Sequence, residues 1–212
     1  MYISVLHIRL QILAMSGLGQ AALGLNVLNQ YALRPGVLFC VSSGNITTFT
    51  GDAIVNAANR AGLGGGGVDG AITRAGGGGM AEERKALPLV KAGVRIPTGD
   101  ARTTSSGSMP SRFCIHAVGP CYHNVDETNG DQLLAGAYSA SMREAKANGV
   151  KTLAFSMISA GAFRANQPLS KILDISIRTI AGNVYPGLES VYMIGFTEKE
   201  VDALNEVARE IF

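Results

Sequence analysis

The sequence predicts an α/β layer fold, and two observations carry that prediction. Short apolar runs alternate with longer segments whose apolar residues recur every three to four positions, the pattern of strands alternating with helices. Of the 27 glycines, ten cluster at residues 62–70 and 76–79, so they mark particular loops and not low complexity. At 212 residues, with 47% hydrophobic and 16% charged, the chain can bury one good core, and two domains would be tight. With no internal repeat and no linker, it reads as a single globular domain.

Residues 2–8 (YISVLHI) predict a strand. Residues 17–33 predict a helix, with Leu18, Ala22, Leu25 and Leu28 on one side and Pro35-Gly36 ending it. Residues 1–36 thus form an N-terminal extension to a domain spanning 37–212. Residues 1–51 carry Arg9 and Arg34 but no Asp or Glu, so part of the extension has an organelle-targeting segment as its alternative reading. Residues 37–41 and 53–57 predict strands, the second (AIVNA) running into a glycine loop. Residues 68–75 open a helix; residues 81–87 are helical in composition and Pro88 limits them. Residues 113–118 (FCIHAV) predict a strand closed by Gly119-Pro120. Residues 132–147 predict an amphipathic helix ended by Asn148-Gly149. Residues 151–158 predict a strand leading into a small-residue loop at 159–161, residues 169–180 a helix and residues 191–196 a strand. Thr197 and Glu200 spell a capping box for a last helix carrying Val201, Leu204, Val207 and Ile211.

A formal net charge of +2 is too weak to draw nucleic acid through bulk electrostatics. Three cysteines and three histidines show no metal-ligand spacing, so no metal site is expected and the thiols read as reduced, as in an intracellular, cytoplasmic protein. No apolar run reaches the roughly 20 residues of a spanning helix. His116, inside an apolar strand, reads as a satisfied core histidine.

The informative segment is residues 51–77, GDAIVNAANRAGLGGGGVDGAITRAGG. An apolar strand ends at Asn56 and Asn59; Gly64, Gly65, Gly66 and Gly67 follow, then Val68 and Asp69 near a helix start. Glycines let backbone N–H groups approach an anion closely, and a helix N-terminus behind them adds its dipole. The loop is not a Walker A loop, because no Lys-Ser/Thr follows. Nor is it a dinucleotide fingerprint, because no acidic residue closes a following strand. Alone, the four glycines support only an anion cradle or a bare turn; Asn56, Asn59 and Asp69 put hydrogen-bonding groups at both ends.

Taken whole, this segment resembles the macrodomain family, and within it the MacroD-type branch. The matching residues are N-A-A-N at 56–59, G-G-G-G-V-D-G-A-I at 64–72 and the ten-residue step from Asn59 to Asp69. Weaker matches follow in the family's order: S-G-N-I-T at 43–47, P-T-G-D-A at 97–101, I-H-A-V-G-P at 115–120 and I-S-A-G at 158–161. The resemblance covers residues 37–212 and implies a three-layer αβα sandwich around a central mixed sheet, binding ADP-ribose at the carboxyl ends of the strands.

By that resemblance, Gly64 to Val68 form the first diphosphate loop, and Ser159, Ala160, Gly161, Ala162 and Phe163 the second, with Phe163 over the distal ribose or else an ordinary core aromatic. Asn59 would hold the distal ribose and Asp69 a water near the anomeric carbon, or Asp69 would serve as a helix N-cap. Asn45 and Ile46 would flank the adenine, with Asn45 standing where the family has Asp. An amide acceptor without charge is weaker there by about 1 kcal/mol, which implies weaker or less adenine-selective binding. Phe196 would stack on the adenine or pack in the core. Arg164 replaces a family glycine and would reach a phosphate or remain a solvated charge. Thr73 stands where a His is frequent. The implied function is hydrolysis of ADP-ribosyl esters, on acidic side chains or in O-acetyl-ADP-ribose, by a monomer needing no cofactor. The alternatives are a non-catalytic ADP-ribose reader and an ADP-ribose 1″-phosphate phosphatase.

Overall fold

A computed structural model describes residues 23–212 of the protein. The strand expected over residues 2–8, and the part of the expected helix before residue 23, lie outside the described residues. The elements run β1 (Asn26–Arg34), β2 (Val37–Ser43), β3 (Ala53–Ala57), α1 (Gly67–Ala86), β4 (Asp100–Ser105), β5 (Phe113–Val118), α2 (Glu127–Ala147), β6 (Thr152–Ser156), α3 (Leu169–Gly182), β7 (Ser190–Gly195) and α4 (Glu198–Ile211). The strands form one sheet in the order β1-β2-β7-β6-β3-β5-β4. The five inner strands are parallel; β1 and β4 are antiparallel edges.

Side chains alternate between the two faces of each inner strand, which divides the core into two layers. Phe39, Val55, Ile115, Phe155 and Met193 face one side, where they pack with Leu134 and Tyr138 of α2, Ile172 and Ile177 of α3, and Leu204 of α4. Their neighbours Cys40, Ile54, Cys114, Ala154 and Tyr192 face the other side, against Ile72 and Met80 of α1 and the 3-10 turn at Ile46–Thr48. The result is the αβα sandwich, each large apolar side chain fully removed from water contributing about 1.5–3 kcal/mol.

The helix expected over residues 17–33 is overturned within the described residues: Asn26–Arg34 is a strand. Val27, Asn29, Tyr31 and Leu33 are half-buried and alternate with exposed neighbours, a period of two. Leu25 is 7% exposed and Leu28 40%, so they do not share a face. The chain reverses at Gly36 (φ 79°) and pairs antiparallel with β2, and Tyr31 stacks on Phe212 at 5.2 Å. Edge strand β4, rich in Thr, Ser and Asp, gave no apolar run to read.

α1 joins the two helical pieces expected at residues 68–75 and 81–87 across a break at Gly77 (φ 70°, ψ −165°). The Gly76 carbonyl next to the break accepts from Ser108 N at 3.0 Å. α2 begins earlier than expected because Asp126 caps it through Asn129 N at 2.9 Å. The capping box on α4 is formed from both sides, Thr197 to Glu200 and back. At the other end of the sheet, Asp52 Oδ2 accepts from Lys151 N (2.8 Å) and Thr152 N (2.9 Å), tying the start of β3 to β6.

Candidate functional site

A cleft runs along the edge of the sheet where the five parallel strands end, and each of them supplies part of it. One half, about 360 Å³, is bounded by Asn59 and Asp69 after β3, Gly119 after β5, and Ser159 and Phe163 after β6. The other, about 510 Å³, is bounded by Asn45 and Ile46 after β2 and Phe196 after β7. Gly67, Val68, Met157 and Gly161 border both halves, so the glycine loop after β3 and the small-residue loop after β6 stand on either side of the waist. Gly65, Gly66 and Ala162 border the first half and Ala160 the second. A Cβ on Gly66 or Gly67 would meet nothing within 4 Å, which leaves the backbone open to whatever lies in the cleft.

Asn59 and Asp69 converge on one point. A Cβ built on Gly65 would lie 3.1 Å from Asn59 Nδ2 and 3.2 Å from Asp69 Oδ2, so only glycine leaves that point open. Asn59 also braces the loop: Nδ2 donates to Gly64 O at 2.8 Å, and Oδ1 accepts from Ala61 N and Gly62 N at 3.1 and 3.2 Å. One Nδ2 proton remains for a ligand. Asp69 lies in the first turn of α1, but the N-cap is Gly66, so Asp69 is not the cap. Its side chain is 4% exposed. Oδ1 accepts from Asn56 Nδ2 at 2.8 Å and Arg84 Nη1 at 2.9 Å; Oδ2 has no hydrogen-bond partner in the protein.

Behind Asp69 lies a polar cluster that the sequence did not disclose. Arg84 is 1% exposed; Nε donates to Gly62 O at 2.6 Å and Nη1 also to Thr73 Oγ1 at 2.9 Å. Thr73 Oγ1 donates to Asp69 O at 2.7 Å. Arg84 therefore grips both the glycine loop and the carboxylate, with Thr73 beside it. Its signal was present: Ile72, Gly76, Met80 and Arg84 recur every four residues and are all buried, so the cation stands on an apolar stripe.

Asn56, expected against the ligand, is instead fully buried beneath the cleft. The Asp69 carboxylate fixes its amide with nitrogen forward, and the second Nδ2 proton goes to His116 Nδ1 at 3.1 Å. His116 therefore carries its proton on Nε2, donates it to Thr104 Oγ1 at 2.9 Å, and Thr104 donates on to Ser105 O at 2.8 Å. Burial, reinforced by the Arg84 charge, lowers its pKa from 6.5 to about 3, so the ring is neutral. It is the satisfied core histidine expected.

Arg164 does not border the cleft. Nε donates to Ala160 O at 3.0 Å and Nη1 to Gln167 O, closing the second loop on itself. Ser159 (φ 55°) and Ala165 (φ 52°), the two non-glycine residues with positive φ among the described residues, bracket this loop. Ser159 Oγ donates to Pro120 O at 2.8 Å, and Tyr122 N to Phe163 O at 2.8 Å. Phe163 and Phe196 are 38% and 83% exposed, which excludes core packing for both. Asn45 caps the 3-10 turn: Oδ1 accepts from Thr47 N at 3.1 Å and Thr47 Oγ1 at 2.9 Å, so the acceptor expected for an adenine amine is already in use. Arg74, which carries no signal in the sequence, and Glu200, read there only as half of a capping box, border the same half.

Among the described residues, no group of three or more His, Cys, Asp or Glu could hold a metal ion, and no helix is long and apolar enough to cross a membrane. Cys40, Cys114 and Cys121 are free; burial pushes the Cys40 thiol up to about 12.

An open α/β sheet with a glycine loop and a small-residue loop over its strand ends, and a buried Asp and an Asn converging beside them, defines the class of α/β proteins with a binding cleft at the carboxyl ends of their strands. The chain belongs to the macrodomain family: the Macro domain model matches residues 55–170. It is 38% identical over 169 residues to a macro domain-containing protein of Caldanaerobacter subterraneus subsp. tengcongensis, covering 79% of this chain and 94% of that one. It is 37% identical over 169 residues to an O-acetyl-ADP-ribose deacetylase of Escherichia fergusonii, covering 79% and 93%. The fold matches the Oceanobacillus iheyensis macrodomain with ADP at a TM-score of 0.79, with 30% identity over 86% of this chain and 95% of that one.

Proposed function

We propose that this macrodomain binds ADP-ribose along the cleft and hydrolyses ADP-ribosyl esters, on acidic side chains or in O-acetyl-ADP-ribose. The observation that carries the reading is the buried Asp69 Oδ2, left without a protein partner and aimed with Asn59 Nδ2 at the open face of Gly65. The diphosphate lies at the waist, between the backbone amides of Gly66 and Gly67 and those of the second loop. The distal ribose then falls in the half bounded by Asn59, Asp69 and Phe163, and the nucleoside in the half bounded by Asn45, Ile46 and Phe196. Asn59 Nδ2 donates to a ribose hydroxyl. Asp69 Oδ2 accepts a hydrogen bond from a water and holds it against the anomeric carbon. As the water adds to the anomeric carbon, the bond from that carbon to the ester oxygen breaks, the carboxylate leaves as a stable anion and the water's proton passes to Asp69 Oδ2, so positioning and electrostatics supply most of the rate. With Arg164 turned into its own loop, the charge that favoured a 1″-phosphate phosphatase is withdrawn.

The test incubates the protein with a target mono-ADP-ribosylated on glutamate, with O-acetyl-ADP-ribose and with ADP-ribose 1″-phosphate. Removing the Asp69 carboxylate altogether strands Arg84, so Asp69→Asn, which keeps an oxygen for Arg84, accompanies Asp69→Ala. Both variants are expected to lose about 10²–10³-fold in kcat on the two esters. Wild-type protein that binds ADP-ribose but turns over neither ester would be a reader.

A further inference from the structure

We propose that the loop after β3 and the segment before β4 form a docking surface for an acidic protein segment, the one that carries the ADP-ribosyl group on its Asp or Glu side chain. The proposal rests on the reading that the reacting end of the cleft is at Asn59 and Asp69, and it names modified proteins, over small esters, as the substrate class. Printed contacts tie this surface to that end. Arg60 follows Asn59 directly. Its carbonyl accepts from Arg95 N at 2.9 Å and Ile96 N at 3.2 Å, and Arg95 Nη1 donates to Ala61 O at 3.3 Å. Leu87 and Ile96, near the two ends of the segment, pack in one cluster with Ala58. Between them, residues 88–93 are all exposed, and Val90 N donates to Val94 O at 2.9 Å to turn the chain back.

Three of the four exposed large aliphatic side chains among the described residues, Leu63, Leu89 and Val90, stand on these two stretches. Charge is equally one-sided there: residues 58–68 and 87–98 carry Arg60, Lys91 and Arg95 and no acid. Arg60 and Lys91 are exposed, and their side chains have no hydrogen bond or ion pair among the described residues. Arg95 spends its donors on carbonyls, Lys85 O at 3.3 Å as well as Ala61 O, so its charge is not neutralised. The acids near the end of α1 are engaged elsewhere: Glu82 with Lys85 at 2.6 Å, and Glu83 with Ser105 N at 2.7 Å.

Aliphatic side chains among unneutralised cations suit a partner that is itself partly apolar and negative. A single-stranded nucleic acid asks for aromatic platforms, and neither stretch carries one. A protein segment with further Asp or Glu around its modified residue meets both demands while the modified side chain enters the cleft beside Asn59. An acetyl group offers neither the apolar area nor the charge, so the surface separates the two ester classes. The two stretches are hydrogen-bonded to each other before any partner arrives, so docking orders little further backbone.

The experiment measures the affinity of peptides that carry ADP-ribose on a glutamine amide nitrogen, where there is no ester to cleave, flanked by either acidic or neutral residues. Free ADP-ribose is the reference. Wild type is expected to bind the acidic peptide about tenfold tighter than the neutral one at low salt, an advantage that shrinks as salt is added. The double variant Arg60→Glu, Lys91→Glu reverses two exposed charges and is expected to cost the acidic peptide about tenfold. Leu89→Ser is expected to weaken both peptides by about fivefold. An affinity for free ADP-ribose that stays within about twofold in both variants shows that fold and cleft are kept. Acidic and neutral peptides that bind wild type alike overturn the proposal. So does an equal loss for ADP-ribose and the acidic peptide in the double variant, since the cations would then serve the cleft. An RNA oligonucleotide of the same charge that displaces the acidic peptide at equal concentration assigns the surface to nucleic acid and also overturns it. Peptides that bind alike while both esters are still hydrolysed sink this surface and leave the hydrolase standing; failure to bind ADP-ribose in any form overturns both.

Discussion

Asn59 and Asp69 were legible because the chemistry of a glycine loop asks what flanks it, and both flanks carry hydrogen-bonding side chains. What the sequence hid is what holds Asp69 still. Arg84 lies fifteen residues away across a break in its helix, and a cation in a polar stretch reads as solvated. In the fold it is sealed from water against the carboxylate, and breaking such a pair from one side strands a buried charge. Arg84→Met is therefore expected to destabilise the protein by about 3–5 kcal/mol in urea unfolding. Arg84→Lys keeps the charge but cannot reach Gly62, Thr73 and Asp69 together. It should lose less stability, and lower kcat on the ester substrates while leaving the affinity for ADP-ribose nearly unchanged. Equal losses in kcat and affinity would mean that Arg84 supports the loop and not the carboxylate.

Elements that bury a stripe were read correctly from periodicity, and the errors sit where periodicity is weak. β1 reads as a helix in the sequence because leucines recur there at helical spacing, while the half-buried residues of an edge strand alternate only faintly. β4 gave no signal, being an edge whose outer side faces water. α1 reads as two helical pieces because glycines fill its middle, and the non-helical dihedrals at Gly77 separate them in the structure too. The dihedrals there are open to glycine alone, so Gly77→Ala must either strain the backbone or straighten the helix. A loss of about 1–3 kcal/mol in thermal unfolding is expected, with Gly78→Ala, where a Cβ meets nothing, as the neutral control. If both variants unfold alike, the break is not required by the native packing.

For the molecule as a whole, the sandwich was legible from the alternation of strands and helices, whereas the buried polar network between sheet and α1 was not, since it joins residues from four separate stretches. That network gives the fold an acid limit. His116 binds a proton at pH 6.5 when unfolded but only near pH 3 when folded. Between those values the unfolded chain holds more protons, so its contribution to stability is complete above about 6.5 and is lost as the pH falls toward 3. By pH 5 the loss from this one group is about 2 kcal/mol. Urea midpoints measured at pH 7 and pH 5 should show it, and His116→Gln, though less stable at pH 7, should show a smaller fall. An equal fall in both proteins would place the acid sensitivity in the carboxylates.

The second loop has a thermodynamic consequence of its own. Ser159 and Ala165 hold positive φ, a strain of roughly 1–3 kcal/mol each for a residue with a side chain, and the hydrogen bonds of Arg164 and Ser159 keep them there before any ligand arrives. On the proposed reading, the disorder that a flexible loop would surrender on closing around a diphosphate has, in this chain, been given up during folding. Encounter with ligand thus requires a docking and not a rearrangement.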